Sequence, residues 1–191
     1  VNDYVVKPVL EEELIVRTRN LIIANRLANR VEAQHARIKL LESSDALTGV
    51  FNRRMLFSLG EKYLATARRT QGVFSLVVVE IFGVDDVSAQ YGIDVGDEVL
   101  SDCARAMRQV ARSSDVVARV GDTRFAVALP YCAEADVAGV GERYRRVLGA
   151  QMPFGMPLHA CVGTAAFDME HDGDFECLFA RALSALAGCR S

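Results

Sequence analysis

Residues 10–44 contain neither glycine nor proline, so nothing in this stretch interrupts a helix. The acidic residues at 11–13 would lie in the first turn of such a helix, where the helix dipole favours negative charge. From Leu21 onward, mostly apolar residues recur at alternating spacings of three and four residues, which is a heptad pattern. This short seam runs through Ala24, Ala28, Val31, His35 and Ile38. We predict a helix that pairs with a second copy as a weak two-stranded coiled coil, making the chain a homodimer. An amphipathic helix packed on its own domain is the alternative.

Beyond residue 44 the pattern alternates between helical and extended segments. Helical periodicity covers 53–70, 95–111, 133–149 and 175–190, whereas apolar runs typical of strands cover 74–82, 116–120, 124–129 and 158–166. Gly121-Asp122-Thr123, between the second and third of these strands, indicates a hairpin, because a glycine-rich tight turn allows positive φ. The order predicts an α/β sandwich with a mixed central sheet flanked by helices, preceded by the long N-terminal helix.

Composition narrows the possible functions. The 191 residues carry a net charge of -3, so no overall basic field attracts nucleic acid or anionic membrane. No apolar run is long enough to span a membrane. The five cysteines lack the spacing of metal ligands, and we expect them to be buried thiols in a reducing cytoplasm.

Four segments follow the signature motifs of one domain family. Residues 45–54 read DALTGVFNRR, 91–100 read YGIDVGDEVL, 119–125 read RVGDTRF and 161–165 read CVGTA. They resemble, in order, the D-x-L-T-G-L-x-N-R-R, Y-G-H-x-x-G-D-x-V-L, R-x-G-G-(D/E)-E-F and S-I-G-V-A motifs of bacterial GGDEF domains. The resemblance implies the GGDEF nucleotidyl-cyclase-like fold over 45–191.

A second resemblance covers the start of the chain. Residues 2–8 read NDYVVKP and are followed by an acidic helix start, which looks like the last strand and last helix of a receiver domain. The expected organisation is therefore 1–9 as the end of a receiver, 10–44 as a helical linker and 45–191 as the GGDEF domain. Such a chain is a response regulator of two-component signalling.

The GGDEF resemblance implies condensation of two GTP molecules into cyclic di-GMP, with two divalent ions held by carboxylates. Here the first metal ligand is Glu80, and the second is replaced by the neutral hydroxyl of Thr123. Arg124 replaces the neighbouring acid, and Asp122 replaces the glycine that follows Gly121. We expect no intact catalytic residue, no resident cofactor, and Mg²⁺ only with residual GTP binding.

Residual nucleotide contacts are predicted at three positions. The guanine-reading Asn of the family is Ser88 here, the second guanine-reading residue survives as Asp97, and Arg190 aligns with a late phosphate-binding Lys. Binding of GTP without turnover is therefore an intermediate alternative.

The inhibitory R-x-x-D site of the family is matched by Arg112 and Asp115, and its supporting arginine by Arg143. A guanidinium can donate a pair of hydrogen bonds to guanine O6 and N7, or pair with a phosphate. A carboxylate can accept hydrogen bonds from guanine N1–H and N2–H. The alternative is a solvated surface ion pair.

These positions lead to three hypotheses. The first is an inactive GGDEF output domain that acts as a cyclic di-GMP receptor. The second is a ligand-free interaction module that docks on another GGDEF- or EAL-type protein or an effector. The third is an active or weakly active diguanylate cyclase with variant metal ligands.

Overall fold

The computed structural model describes residues 19–23, 25–26 and 43–189. The predicted receiver end at 1–9, most of the predicted linker helix and Arg190 lie outside the described residues, although 19–23 and 25–26 are helical. The chain divides into two units, Val1–Glu42 and Ser43–Ser191. In the described part of the chain, no helix combines the length and apolar content that a membrane crossing needs.

The second unit alternates strands and helices. In chain order they are β1 (Phe51–Asn52), α1 (Arg53–Thr70), β2 (Phe74–Phe82), α2 (Val84–Tyr91), α3 (Ile93–Val110), β3 (Val116–Arg119), β4 (Arg124–Pro130), α4 (Glu134–Gly149), β5 (His159–Ala166) and α5 (Phe175–Cys189), with a 3-10 turn at Pro153–Gly155 before β5. The predicted α/β architecture is confirmed.

One helix was missed by the sequence pattern. α2 has only eight residues and lies between Gly83 and Gly92, whose φ angles are 95° and 104°. Two turns give too few apolar positions for a clear helical period, and the flanking glycines indicate a loop. The next helix, α3, was predicted over 95–111 and begins earlier, at Ile93.

The five strands form one mixed sheet in the order β1-β3-β4-β2-β5. β2 is antiparallel to both β4 and β5, and β1 is parallel to β3. In this register Glu80 of β2 lies opposite Arg124 of β4 on one side and Cys161 of β5 on the other. Because side chains alternate faces along a strand, these three positions form one row across the sheet.

The core has two layers, one on each face of the sheet. Val77, Val79 and Ile81 pack with α3 and α4, on Leu100, Cys103, Met107, Tyr144 and Leu148. Leu76 and Val78 pack with α1 and α5, on Leu56, Leu64, Phe175 and Leu178. β2 is therefore covered on both faces, which explains its nearly continuous apolar sequence.

Gly163 allows α5 to lie directly on β5. A Cβ at this position would come within 2.2 Å of the Ala182 carbonyl oxygen and 2.3 Å of the Leu186 nitrogen. Both neighbours are backbone atoms of a helix, so neither can move aside without shifting the helix.

Gly163→Ala is therefore expected to lower the free energy of unfolding by about 1–3 kcal/mol through overpacking. The matched control is Gly139→Ala, in the middle of α4, where an added Cβ meets nothing within 4 Å. That change is expected to raise the free energy of unfolding by about 0.5–1 kcal/mol. Urea unfolding measures both, and equal effects of the two substitutions contradict the close approach of α5 to β5.

Candidate functional site

The predicted catalytic positions meet at one end of the sheet. Glu80 lies near the end of β2 and is 7% exposed. Thr123 lies at the end of the β3–β4 turn, where its carbonyl oxygen accepts the N–H of Ile81 at 3.0 Å. Arg124 begins β4, directly opposite Glu80.

Glu80 and Arg124 form an ion pair across the strands. Arg124 Nη2 donates to Glu80 Oε1 at 2.9 Å, and the side chains are 34% and 9% exposed for Arg124 and Glu80. The guanidinium keeps its charge at any physiological pH, so the carboxylate faces a permanent internal cation. Among the described residues, no group of three or more His, Cys, Asp or Glu side chains converges as a metal site.

The predicted hairpin is present, since β3 and β4 pair antiparallel on either side of residues 121–123. The N–H groups of Val120 and Gly121 both donate to the Arg124 carbonyl oxygen, at 2.9 and 3.2 Å. The turn closes without the positive φ that its glycine allows, because none of residues 121–123 has a left-handed backbone. Asp122 is exposed at the tip.

Arg119 anchors the turn to the first motif. Its Nη2 donates to the Asp122 carbonyl oxygen at 2.7 Å, and its Nη1 lies 3.3 Å from Asp45 Oδ1. The same Asp45 oxygen accepts the N–H and hydroxyl of Thr48, at 2.9 and 2.7 Å. Burial opposes the charge on Asp45, but these hydrogen bonds and the Arg119 guanidinium hold the pKa of its carboxyl below the ordinary value.

The residual nucleotide positions Ser88 and Asp97 lie where α2 meets α3. The Ser88 hydroxyl donates to the Val84 carbonyl oxygen at 3.0 Å, within its own helix. A Cβ at Gly96 would come within 1.9 Å of Ser88 Oγ, so Ser88 packs against α3 just before Asp97. Asp97 is half-buried. The third predicted contact, Arg190, is outside the described residues.

The second predicted site lies in the turn between α3 and β3. The Arg112 N–H donates to Asp115 Oδ2 at 2.8 Å, and the Asp115 N–H donates to the Arg112 carbonyl oxygen at 3.0 Å. A cavity of about 330 Å³ lies beside this turn and contacts Arg108, Arg112 and Asp115. Arg108, near the end of α3, was missed by the sequence reasoning. No helical spacing could have linked it to Arg112, because α3 ends at Val110 and Arg112 lies in the turn beyond it.

Arg143 lies on α4, which packs against α3. The next residue, Tyr144, is buried, and burial raises its pKa to about 12, while the charge of Asp115 raises it further and Arg143 lowers it. Within the described chain, Arg143 Nε and Tyr144 Oη are buried without a hydrogen-bond partner. Arg143 therefore keeps an unsatisfied donor on α4.

Comparisons with known proteins agree on one domain type. The family model of the diguanylate cyclase GGDEF domain matches residues 42–190. The response regulator PleD of Caulobacter vibrioides is 28% identical over 145 residues, which are 76% of this chain and 32% of that protein. The uncharacterized protein YhcK of Bacillus subtilis is 35% identical over 102 residues, which are 53% of this chain and 28% of that protein. The chain thus spans about a third or less of the length of these curated relatives.

Solved structures show the same fold. The diguanylate cyclase SiaD of Pseudomonas aeruginosa, determined in complex with its activator SiaC, has a TM-score of 0.72 at 26% identity, covering 94% of this chain and 71% of that chain. The coiled coil and GGDEF domain of DgcB from Caulobacter crescentus, in complex with cyclic di-GMP, has a TM-score of 0.82 at 21% identity, covering 91% and 93%.

The Glu80–Arg124 ion pair is testable by a double-mutant cycle. Arg124→Ala is expected to lower the free energy of unfolding by about 1–3 kcal/mol, because it removes the guanidinium that faces a buried carboxylate. Adding Glu80→Gln to that variant removes the negative charge of the carboxylate and is expected to recover much of the loss. Urea unfolding of the wild type, both single variants and the double variant gives the coupling energy. Losses that simply add contradict a coupled pair.

Proposed function

The chain belongs to the GGDEF family of diguanylate cyclase domains, and we propose that it is a catalytically inactive member that binds cyclic di-GMP through Arg112, Asp115 and Arg143. The observation that carries the first half of the proposal is the ion pair between Glu80 and Arg124. The cavity beside Arg112 supports the second half.

Catalysis in this family needs divalent cations to neutralise the triphosphate and the developing charge. The residues of this chain do not fit a pair of such ions. Glu80, the carboxylate that remains, already faces Arg124 at 2.9 Å, and Thr123 offers a neutral hydroxyl that binds Mg²⁺ poorly. Removing one electrostatic stabiliser from a preorganised site typically raises the barrier by about 2.7–4 kcal/mol. The combined changes therefore support an inactive domain.

The second site retains a full set of groups for a guanine and its phosphate. Arg112 is exposed and offers a guanidinium fork. Asp115 Oδ2 accepts the Arg112 N–H and Oδ1 accepts the Ser114 hydroxyl. A carboxylate has about four lone-pair positions, so acceptor capacity remains for guanine N–H groups. Arg108 adds a cation on the same cavity of about 330 Å³. Arg143 adds the buried, unsatisfied Nε on the α4 side.

In this proposal the domain is the output of a cytoplasmic response regulator. A receiver domain upstream transmits phosphorylation through the helix predicted at 10–44, which pairs two copies. Binding of the dinucleotide then changes how the domain contacts a partner protein.

The second candidate is an interaction module that needs no nucleotide. One relative supports it, since SiaD is known in complex with its activator SiaC. The chain also exposes an aromatic pair, Tyr91 on Phe154, with ring centroids 4.6 Å apart and exposures of 41% and 62%. Exposed aromatic side chains of this kind are enriched at protein interfaces.

We expect the wild-type chain to bind cyclic di-GMP in a calorimetric titration and Arg112→Ala to bind it about 10–100-fold more weakly, as the loss of charged hydrogen bonds implies. The matched control is Arg105→Ala, which removes the same charge from the preceding helix α3, at a residue that pairs with Asp102 and does not contact this cavity. It is expected to leave the affinity unchanged.

If the folded wild type gives no binding heat with cyclic di-GMP, the receptor proposal is wrong. If the Arg105 and Arg112 variants lose affinity for cyclic di-GMP equally, the dinucleotide is attracted by the overall charge of this surface and not by a specific site. If a partner co-purifies with the chain to the same extent with and without cyclic di-GMP, the interaction module is favoured.

Incubation with GTP and Mg²⁺ is expected to yield no cyclic di-GMP above background. Chromatography of the nucleotides checks this, with the same assay on an active diguanylate cyclase as the positive control. Product formed by the wild type overturns the inactive half of the proposal and supports the variant-ligand cyclase instead.

A further inference from the structure

The cysteines do not all follow the prediction of buried thiols. Cys103 and Cys132 are buried as expected, but Cys161 is half-buried, and Cys177 and Cys189 are exposed. The prediction is wrong for these three. Cys161 and Cys189 are also neighbours, since Cys161 Sγ lies 3.3 Å from the Cys189 carbonyl oxygen.

The packing of α5 on β5 brings this pair together. Gly163 is the point of closest approach, where the missing side chain lets the strand meet the backbone at Leu186. Cys161 lies two residues before Gly163 and so shares its face of the strand. Cys189 lies three residues after Leu186, about one helical turn further along α5. The same close contact that sets the core therefore sets the meeting of the two cysteines.

The surroundings of Cys189 activate one sulfur of the pair. Contacts with the Cys161 thiol and the N–H of Val162 lower the pKa of the Cys189 thiol, and the Arg145 guanidinium lowers it further. Cys189, Arg145 and Val162 contact a cavity of about 220 Å³ that is open to solvent. By contrast, burial raises the pKa of Cys103 to about 12.

We propose that Cys189 and Cys161 are a peroxide-reactive thiol pair, in which exposed Cys189 is the attacking thiolate and half-buried Cys161 is the resolving thiol. The proposal is independent of cyclic di-GMP binding. It rests on the adjacency of the two residues, on the open cavity at Cys189 and on the guanidinium of Arg145 beside it.

The chemistry balances in two steps. The Cys189 thiolate attacks one oxygen of hydrogen peroxide, an S–O bond forms, the O–O bond breaks, and the departing hydroxide takes up a proton to become water. Cys161 then attacks the sulfenic sulfur, an S–S bond forms, the S–O bond breaks, and the thiol proton leaves with the hydroxide as a second water. Two thiols are oxidised and one peroxide is reduced to two waters.

The test is oxidation of the full chain by hydrogen peroxide, followed by mass spectrometry without reduction. Trypsin alone leaves Cys161 and Cys177 on one peptide, so cleavage after glutamate is added. The two enzymes together place Cys161 in 147–170, Cys177 in 177–181 and Cys189 in 182–190. The expected product is the first of these peptides linked to the third, with the loss of two hydrogen atoms.

Three variants separate the roles. Cys161→Ser is expected to stop at a sulfenic acid on Cys189 that a dimedone probe traps, and Cys189→Ser is expected to abolish the disulfide. Cys177→Ser, at a cysteine that is on the same helix and also exposed, is the matched control and leaves the product unchanged. Arg145→Gln is expected to slow the oxidation.

Two outcomes overturn the pair. One is a disulfide from Cys189 to Cys177, or between two chains, that forms as fast as the linked 161–189 product. The other is a wild-type chain in which Cys189 reacts no faster than Cys177 and no internal disulfide forms.

Discussion

The register of β2 determines where the neighbouring strands and the residues of the candidate site lie. This strand is buried on both faces and pairs directly with β4 and β5. β3 pairs with β4, and β1 pairs with β3, so the position of β2 also determines theirs through β4. A slip of one residue would move Glu80 to the opposite face and place an apolar side chain beside Arg124. Such a slip would strongly lower the free energy of unfolding, because it would also bury the Glu80 carboxylate within an apolar layer of the core.

Electrostatics at the end of β2 follows from that burial. A carboxylate with 9% of its side chain exposed needs a cation, since an unpaired buried charge is strongly unfavourable. In GGDEF enzymes of the kind this chain resembles, divalent ions meet that need, whereas Arg124 supplies a cation within this chain itself. Glu80 and Arg124 therefore balance each other's charge at this end of the sheet. A divalent ion bound by Glu80 would compete with the guanidinium that lies 2.9 Å from its carboxylate.

Much of this arrangement could be predicted from the sequence, and the rest depends on distances that no local pattern encodes. The apolar run at 74–82 predicts a central strand, and the motif positions predict that Glu80, Thr123 and Arg124 meet. α2 is too short, between two glycines, to show a period. The turn at 121–123 has the composition of a left-handed turn but is closed by two N–H groups on the Arg124 carbonyl. Cys161 and Cys189 are far apart in sequence, and their contact depends on the absence of one side chain, at Gly163.

The residues that match the family motifs here divide by physical role. Asp45, Thr48 and Arg119 match, and the structure uses all three to fasten the hairpin to the first motif through hydrogen bonds of 2.7–3.3 Å. Thr123 and Arg124 depart, and they lie where a substrate phosphate and its cations belong in the resemblance. The matching residues therefore hold the hairpin on the first motif, and the departing residues change the charge at its tip. The R-x-x-D turn directly precedes β3 and is closed by its own hydrogen bonds between Arg112 and Asp115. In the proposed receptor, the shape of this turn therefore does not depend on the charge that Thr123 and Arg124 leave at the hairpin.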